Sequence, residues 1–183
     1  MKSNKLEQSI LLITGIMASG KSTIAQHMAE SIPNSVHLRG DIFRKMIVNG
    51  RVEIEPPPSQ AAMDQLRLRY QVAALAANEY CAAGFTVIYQ DVIIGEILNE
   101  VIAMHHKWPL YIVVLCPSPD IALERDAMRH KQVYQSWTPH MLDQGLKLET
   151  PKVGLWLDTS NLEIDETVAT IHSQIDLARI TNM

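Results

Sequence analysis

Apolar residues gather in five short runs, at residues 10–14, 36–39, 85–90, 110–116 and 155–158, separated by stretches of helical spacing. Most of the runs are continuous rather than alternating, the pattern of strands covered on both faces. Strands that alternate with helices along a whole chain predict an α/β fold built on a parallel sheet. A helix is expected from Lys21 to about Ser31, stopping before Pro33, because the residue preceding a proline is pushed out of the helical region. A longer one, over about 59–83, would set Ala62, Leu66, Tyr70, Ala73, Ala77 and Tyr80 on one face, with Gly84 as its stop. On that reading Asp64, Arg67, Gln71 and Asn78 fall on another face, and Arg67 and Arg69 belong first to a solvated surface. Pro56, Pro57 and Pro58 make the stretch before it a stiff extended connection. Thr138-Pro139 is an N-cap and first-turn pair, and a last helix is expected over about 164–180. No repeat or second domain is visible, so residues 1–183 read as one domain.

Composition narrows the classes. Apolar residues make up 47% and charged residues 20% of the 183, an ordinary globular balance. A net charge of −4 supplies no global positive field for long nucleic acid. No apolar run approaches the roughly 20 residues that span a bilayer, and residues 1–9 are polar. The expectation is a cytoplasmic protein without a membrane partner, a monomer or homodimer. Cys81 and Cys116 lie in apolar surroundings without C-x-x-C spacing and read as buried free thiols. The seven histidines show no zinc spacing, and His105-His106 read as solvated surface near a helix end.

Residues 15–22, Gly-Ile-Met-Ala-Ser-Gly-Lys-Ser, match G-x-x-x-x-G-K-[ST] between an expected strand and an expected helix. That context is what a phosphate-binding loop requires: glycines turn successive N–H groups inward, and the helix dipole adds its positive end. Gly15, Ala18, Ser19, Gly20, Lys21, Ser22 and Thr23 are therefore the candidate nucleotide contacts. Lys21 would reach the β- and γ-phosphates, and the Ser22 hydroxyl would ligate Mg²⁺. The expected cofactors are ATP and Mg²⁺.

In open parallel sheets, ligands sit beyond the carboxyl ends of the strands. The second run leads into Asp41, a carboxylate placed to accept a proton from an attacking hydroxyl, or else simply a helix N-cap. Arg44, one turn on, faces the same side and suits an anionic substrate group. Asp91 follows the third run in the position of a Walker B acid, orienting Mg²⁺ directly or through water; a rival role is to hold substrate hydroxyls. Arg125 and Arg129 share a helix face and could close over the phosphates, or could pair with surface acids. The polar stretch to Trp137 suits a lid, about 125–137. Asp158-Thr159-Ser160 either borders the nucleotide base or is turn chemistry alone.

On residues 15–23, 39–44, Asp91, the arginine helix and residues 154–160, the chain resembles the small P-loop kinases of the nucleoside-monophosphate-kinase-like group. The nearest branch is the one of zeta-toxin-like, chloramphenicol-phosphotransferase-like and polynucleotide-kinase-like proteins. The resemblance implies a three-layer sandwich with five parallel strands in order 2-3-1-4-5, and phosphate transfer from ATP to an alcohol. It implies Asp41 as general base, Arg44 as substrate contact, and Arg125 and Arg129 as lid arginines. The segment covering the substrate, about 49–68, fits no branch. The leading reading is a kinase of a small hydroxylated molecule, an antibiotic or a sugar. Rival readings are a polynucleotide 5′-hydroxyl kinase and a regulatory ATP-binding protein with slow ATPase activity.

Overall fold

The computed structural model describes residues 6–128, 134 and 136–181. In chain order the elements are β1 (Ile10–Gly15), α1 (Lys21–Ser31), β2 (Ser35–Arg39), α2 (Asp41–Lys45), α3 (Gln60–Ala82), β3 (Thr86–Gln90) and α4 (Ile97–Met104). They continue with β4 (Leu110–Leu115), α5 (Pro119–Ala127), α6 (Pro139–Glu149), β5 (Leu155–Leu157), α7 (Ile164–Ser173) and α8 (Ile175–Ala178). The five strands form one parallel sheet in the order β2-β3-β1-β4-β5, as the resemblance implies.

Successive side chains of a strand point to opposite faces, so each central strand feeds two cores. Ile10, Leu12, Val87, Tyr89, Ile112 and Val114 pack with Tyr70, Ala73 and Ala77 of α3, Val101 of α4 and Leu146 of α6. Leu11, Ile13, Ile88, Val113 and Leu115 pack on the other face with Ile24, Ala25 and Met28 of α1 and Ile171 of α7. This two-sided burial is why the strands are continuous apolar runs. Register brings Ile13 and Arg39 both level with Gln90. The carboxyl ends of β1, β2 and β3 therefore finish together, and the residues that follow them share one edge of the sheet.

Several expectations change. The buried stripe of α3 ends on Cys81, while Tyr80 is 43% exposed and packs edge-on against Phe85. The step from Ala77 to position 81 stays on the stripe, whereas position 80 falls beside it. The last helix breaks at Gln174 into α7 and α8. Asp41 does not cap α2; Gly40 takes the N-cap position and Asp41 is the first helical residue. His105 is not solvated but buried at the end of α4, against Tyr89. Cys81 is buried and Cys116 half-buried, both as free thiols. Among the described residues, no helix is long and apolar enough to cross a membrane.

Candidate active site

The loop between β1 and α1 turns through three left-handed residues, Gly15 (φ 142°), Ala18 (φ 57°) and Gly20 (φ 93°). At Gly15 a side chain is excluded twice over, since a Cβ would lie 2.2 Å from the Leu115 carbonyl oxygen and 2.9 Å from Ser19 Oγ. The Lys21 side chain is buried over the loop, its Nζ donating to Ile16 O at 2.6 Å and to Ser19 Oγ at 3.4 Å. Ser22 and Thr23 lie exposed in the first turn of α1. A glycine-turned loop, a helix N-terminus and an inward lysine together fit a triphosphate chain. Beside Ser22 and Thr23 opens a polar cleft of about 280 Å³, lined further by Gln26, His27 and Arg39.

Asp91 sits at the end of β3, 5% exposed. Its Oδ1 accepts from Arg69 Nη2 at 3.0 Å and from the Val92 N–H at 2.8 Å. Its Oδ2 is buried without a hydrogen-bond partner and abuts Gly40, where a Cβ would fall 2.0 Å away. Gly40 has ordinary helical dihedrals, so the glycine is needed for space and not for backbone freedom. Burial pushes the Asp91 carboxyl up, while Arg69, the Val92 N–H and Lys21 pull it back down, and Asp41 pushes it up again. Asp91 is thus the residue that both Lys21 and Asp41 act on at the shared sheet edge.

Arg69 corrects the surface reading: its side chain is 10% exposed. Burial works against its charge, yet Asp91 and Tyr70 beside it hold its pKa above the usual guanidinium value. Arg67 does lie on the solvated face, in a two-pronged pair with Glu100 at 2.9 and 3.1 Å.

Asp41, 44% exposed, pairs with Lys45 one turn on. Arg44 pairs with Glu53, which also receives Arg51 Nε at 3.3 Å. On the far side of the loop, Arg125 donates from Nη2 to the Thr159 carbonyl at 2.7 Å, and its Nη1 lies 4.0 Å from where a Gly20 Cβ would be. The 158–160 segment is an Asx turn, with Ser160 N–H donating to Asp158 Oδ1 at 2.9 Å. Arg129, together with residues 130–133 and 135 of the expected lid, lies outside the described residues. Two described lid residues reach inward: Tyr134 Oη donates to Met17 O, and Trp137 Nε1 donates to Ile54 O at 2.8 Å.

Sequence reasoning missed Arg69, Gly40, Gln65 and Glu53. Only Gly40 carried a signal, as a glycine between a strand and a candidate base; the others matter through partners distant in the chain. Among the described residues no group of three or more His, Cys, Asp or Glu side chains is placed to hold a metal. A cation held by a hydroxyl, one carboxylate and the phosphates needs no such group.

The family model described as an AAA domain matches residues 10–147, spanning the loop, both strand-end acids and α5. The chain belongs to the AAA_33 family. No curated protein matches the chain. Among solved structures, a sugar kinase from Janibacter is similar over 93% of this chain and 95% of its own, with 16% identity and a TM-score of 0.70. The tunicamycin resistance protein of Deinococcus radiodurans is similar over 95% and 99%, with 15% identity and a TM-score of 0.63. The Pnkp1/Rnl/Hen1 RNA repair complex is similar over 100% of this chain and 50% of that one, with 13% identity and a TM-score of 0.62. At such identities the likeness is one of fold, the five-stranded parallel sheet with helices on both faces that this AAA_33 member shares with them.

Proposed function

We propose that the protein is a phosphotransferase that moves the terminal phosphoryl group of ATP to a hydroxyl of a small molecule. The observation that supports this best is the strand order and register, which bring the loop carrying Lys21 and the acids Asp41 and Asp91 to one edge of the sheet. ATP with Mg²⁺ supplies the phosphoryl group and counter-charge when bound, against the loop N–H groups and the Ser22 hydroxyl. Lys21 and Arg125 offset charge on the phosphates from opposite sides of the loop. Asp91 is fixed by Arg69 and Val92 and, with the Ser22 hydroxyl, would hold Mg²⁺ directly or through water. Asp41 is held only by an exposed pair with Lys45, a tie too weak to keep it from an acceptor hydroxyl, and takes that hydroxyl's proton.

The small-molecule reading is preferred to a polynucleotide groove because Arg44 and Arg51 are both turned onto Glu53, not onto a continuous exposed track. The shortage of aromatics, 5%, points the same way. With no helix able to span a bilayer among the described residues, the cytoplasm is the proposed compartment. Asp41→Asn is the test, with ADP release measured against sugars, nucleosides and hydroxylated antibiotics. Nucleotide affinity should stay within about twofold, while transfer falls by about 10² to 10⁴, the usual contribution of a positioned base. Transfer by Asp41→Asn near the wild-type rate, or no acceptor raising ADP release at all, would sink the reading.

A further inference from the structure

Between α2 and α3 lies a void of about 10 Å³, room for about one water, with two guanidiniums, Arg44 and Arg69, in its wall. It is small because residues 50–54 lie across it as a strap, contributing Val52 and Ile54 to its lining. The strap is attached by polar contacts. The Gln65 side chain accepts from the Val52 N–H at 2.9 Å and donates to Gly50 O at 2.7 Å, as a neighbouring peptide group would. Trp137 grips Ile54 O, and the carboxylate of Glu53 sits on Arg44. Arg44 is the first cation beyond Asp41 on α2, and Arg69 is the buried cation on the facing helix.

We propose that this strap is an internal stand-in for the acceptor: the Glu53 carboxylate occupies, on Arg44, the place of an anionic group on the substrate. The acceptor is then a hydroxylated molecule bearing a carboxylate or phosphate, which displaces Glu53 and lifts the strap off Arg69. The chemistry agrees at each contact. Arg44, with Gln65 and the Asp91-held Arg69 beside it in the wall, is disposed for an anion, and a neutral polyol would leave Arg44 to its internal partner. Glu53 and Arg44 are 55% and 30% exposed, so their attachment is weak enough for a ligand to replace. Exposed pairs of this kind shift an equilibrium by about two- to fivefold. The inference rests on the kinase reading for the word acceptor, but the displacement itself does not require turnover.

The experiment uses Trp137 fluorescence, because its indole N–H is bonded to the strap. The 183-residue chain is saturated with Mg²⁺ and a non-hydrolysable ATP analogue, so that added anions do not enter the phosphate loop. It is then titrated with D-gluconate and glycerol 3-phosphate, and in parallel with their neutral counterparts sorbitol and glycerol. The expected result is a saturable change with at least one anion and none with its neutral counterpart, abolished in Trp137→Phe. Glu53→Gln should tighten the anion's Kd about two- to fivefold, and Arg44→Gln should remove the response. Equal responses to anion and neutral partner, no response to either anion, or a Kd unchanged in Glu53→Gln would each overturn the proposal. Failure of ADP release with every acceptor sinks the kinase reading and leaves this titration standing. Transfer to neutral acceptors with no response to Glu53→Gln overturns the strap proposal alone.

Discussion

Arg69 and Asp91 are the residues whose chemistry the fold changes most. Both charges leave water on folding, a cost of several kcal/mol each, which a 3.0 Å contact and the Val92 N–H offset. Such a pair adds little net stability, but half of one is expensive. Arg69→Met should destabilise the protein by about 3–5 kcal/mol in urea unfolding, and adding Asp91→Asn to it should recover part of the loss. An unchanged midpoint would mean that Asp91 finds another partner. None of this was legible beforehand, because helical periodicity assigns a face to Arg69 without knowing which strand end lies opposite. The position and turn of the glycine loop after β1 were legible, since its geometry depends on contiguous positions. Asp41 was found as a candidate base, whereas Glu53, its neighbour's partner, lies in a loop without periodicity.

Among the elements, β1, β3 and β4 were readable because burial on both faces keeps all their positions buried and most of them apolar, and their ends shift by only a residue. Helix starts marked by Ser59 and Thr138 were also readable, since each hydroxyl accepts from a backbone N–H three residues on. The end of α4 was not. His105 follows it with neither ring nitrogen hydrogen-bonded, and burial lowers its pKa from 6.5 to about 4. The folded state therefore binds this proton less readily than the unfolded chain. Stability is complete above the unfolded value and is lost as pH falls from about 6.5 toward 4. The loss at pH 5 should be about 2 kcal/mol relative to pH 7. His37 and His172, also lowered by burial, act in the same direction. Urea unfolding at pH 7 and pH 5 measures the effect, and His105→Leu, of similar volume, should remove most of the difference. A His105→Leu protein with the wild-type pH slope would assign the effect elsewhere.

For the molecule as a whole, the sheet order is the feature on which the site depends. It sets β3 beside both β1 and β2, so that the acids after β2 and β3 flank the loop after β1. Order of this kind follows from long-range pairing, and it entered the sequence reading through a family resemblance and not through periodicity. A ligand held at that edge binds the folded state alone. Mg²⁺ and ATP at about a hundred times the dissociation constant should add about 2.7 kcal/mol, or about 5–10 °C in Tm. Lys21→Ala should lose most of that increment in a thermal scan, and an equal shift in both proteins would place nucleotide binding elsewhere.

Tyr134 holds the phosphate loop at Met17, and Trp137, one short step along the chain, holds Ile54. Two compartments are thus buckled by a single clasp. On the function proposed above, loosening that clasp would free the nucleotide side and the acceptor side together.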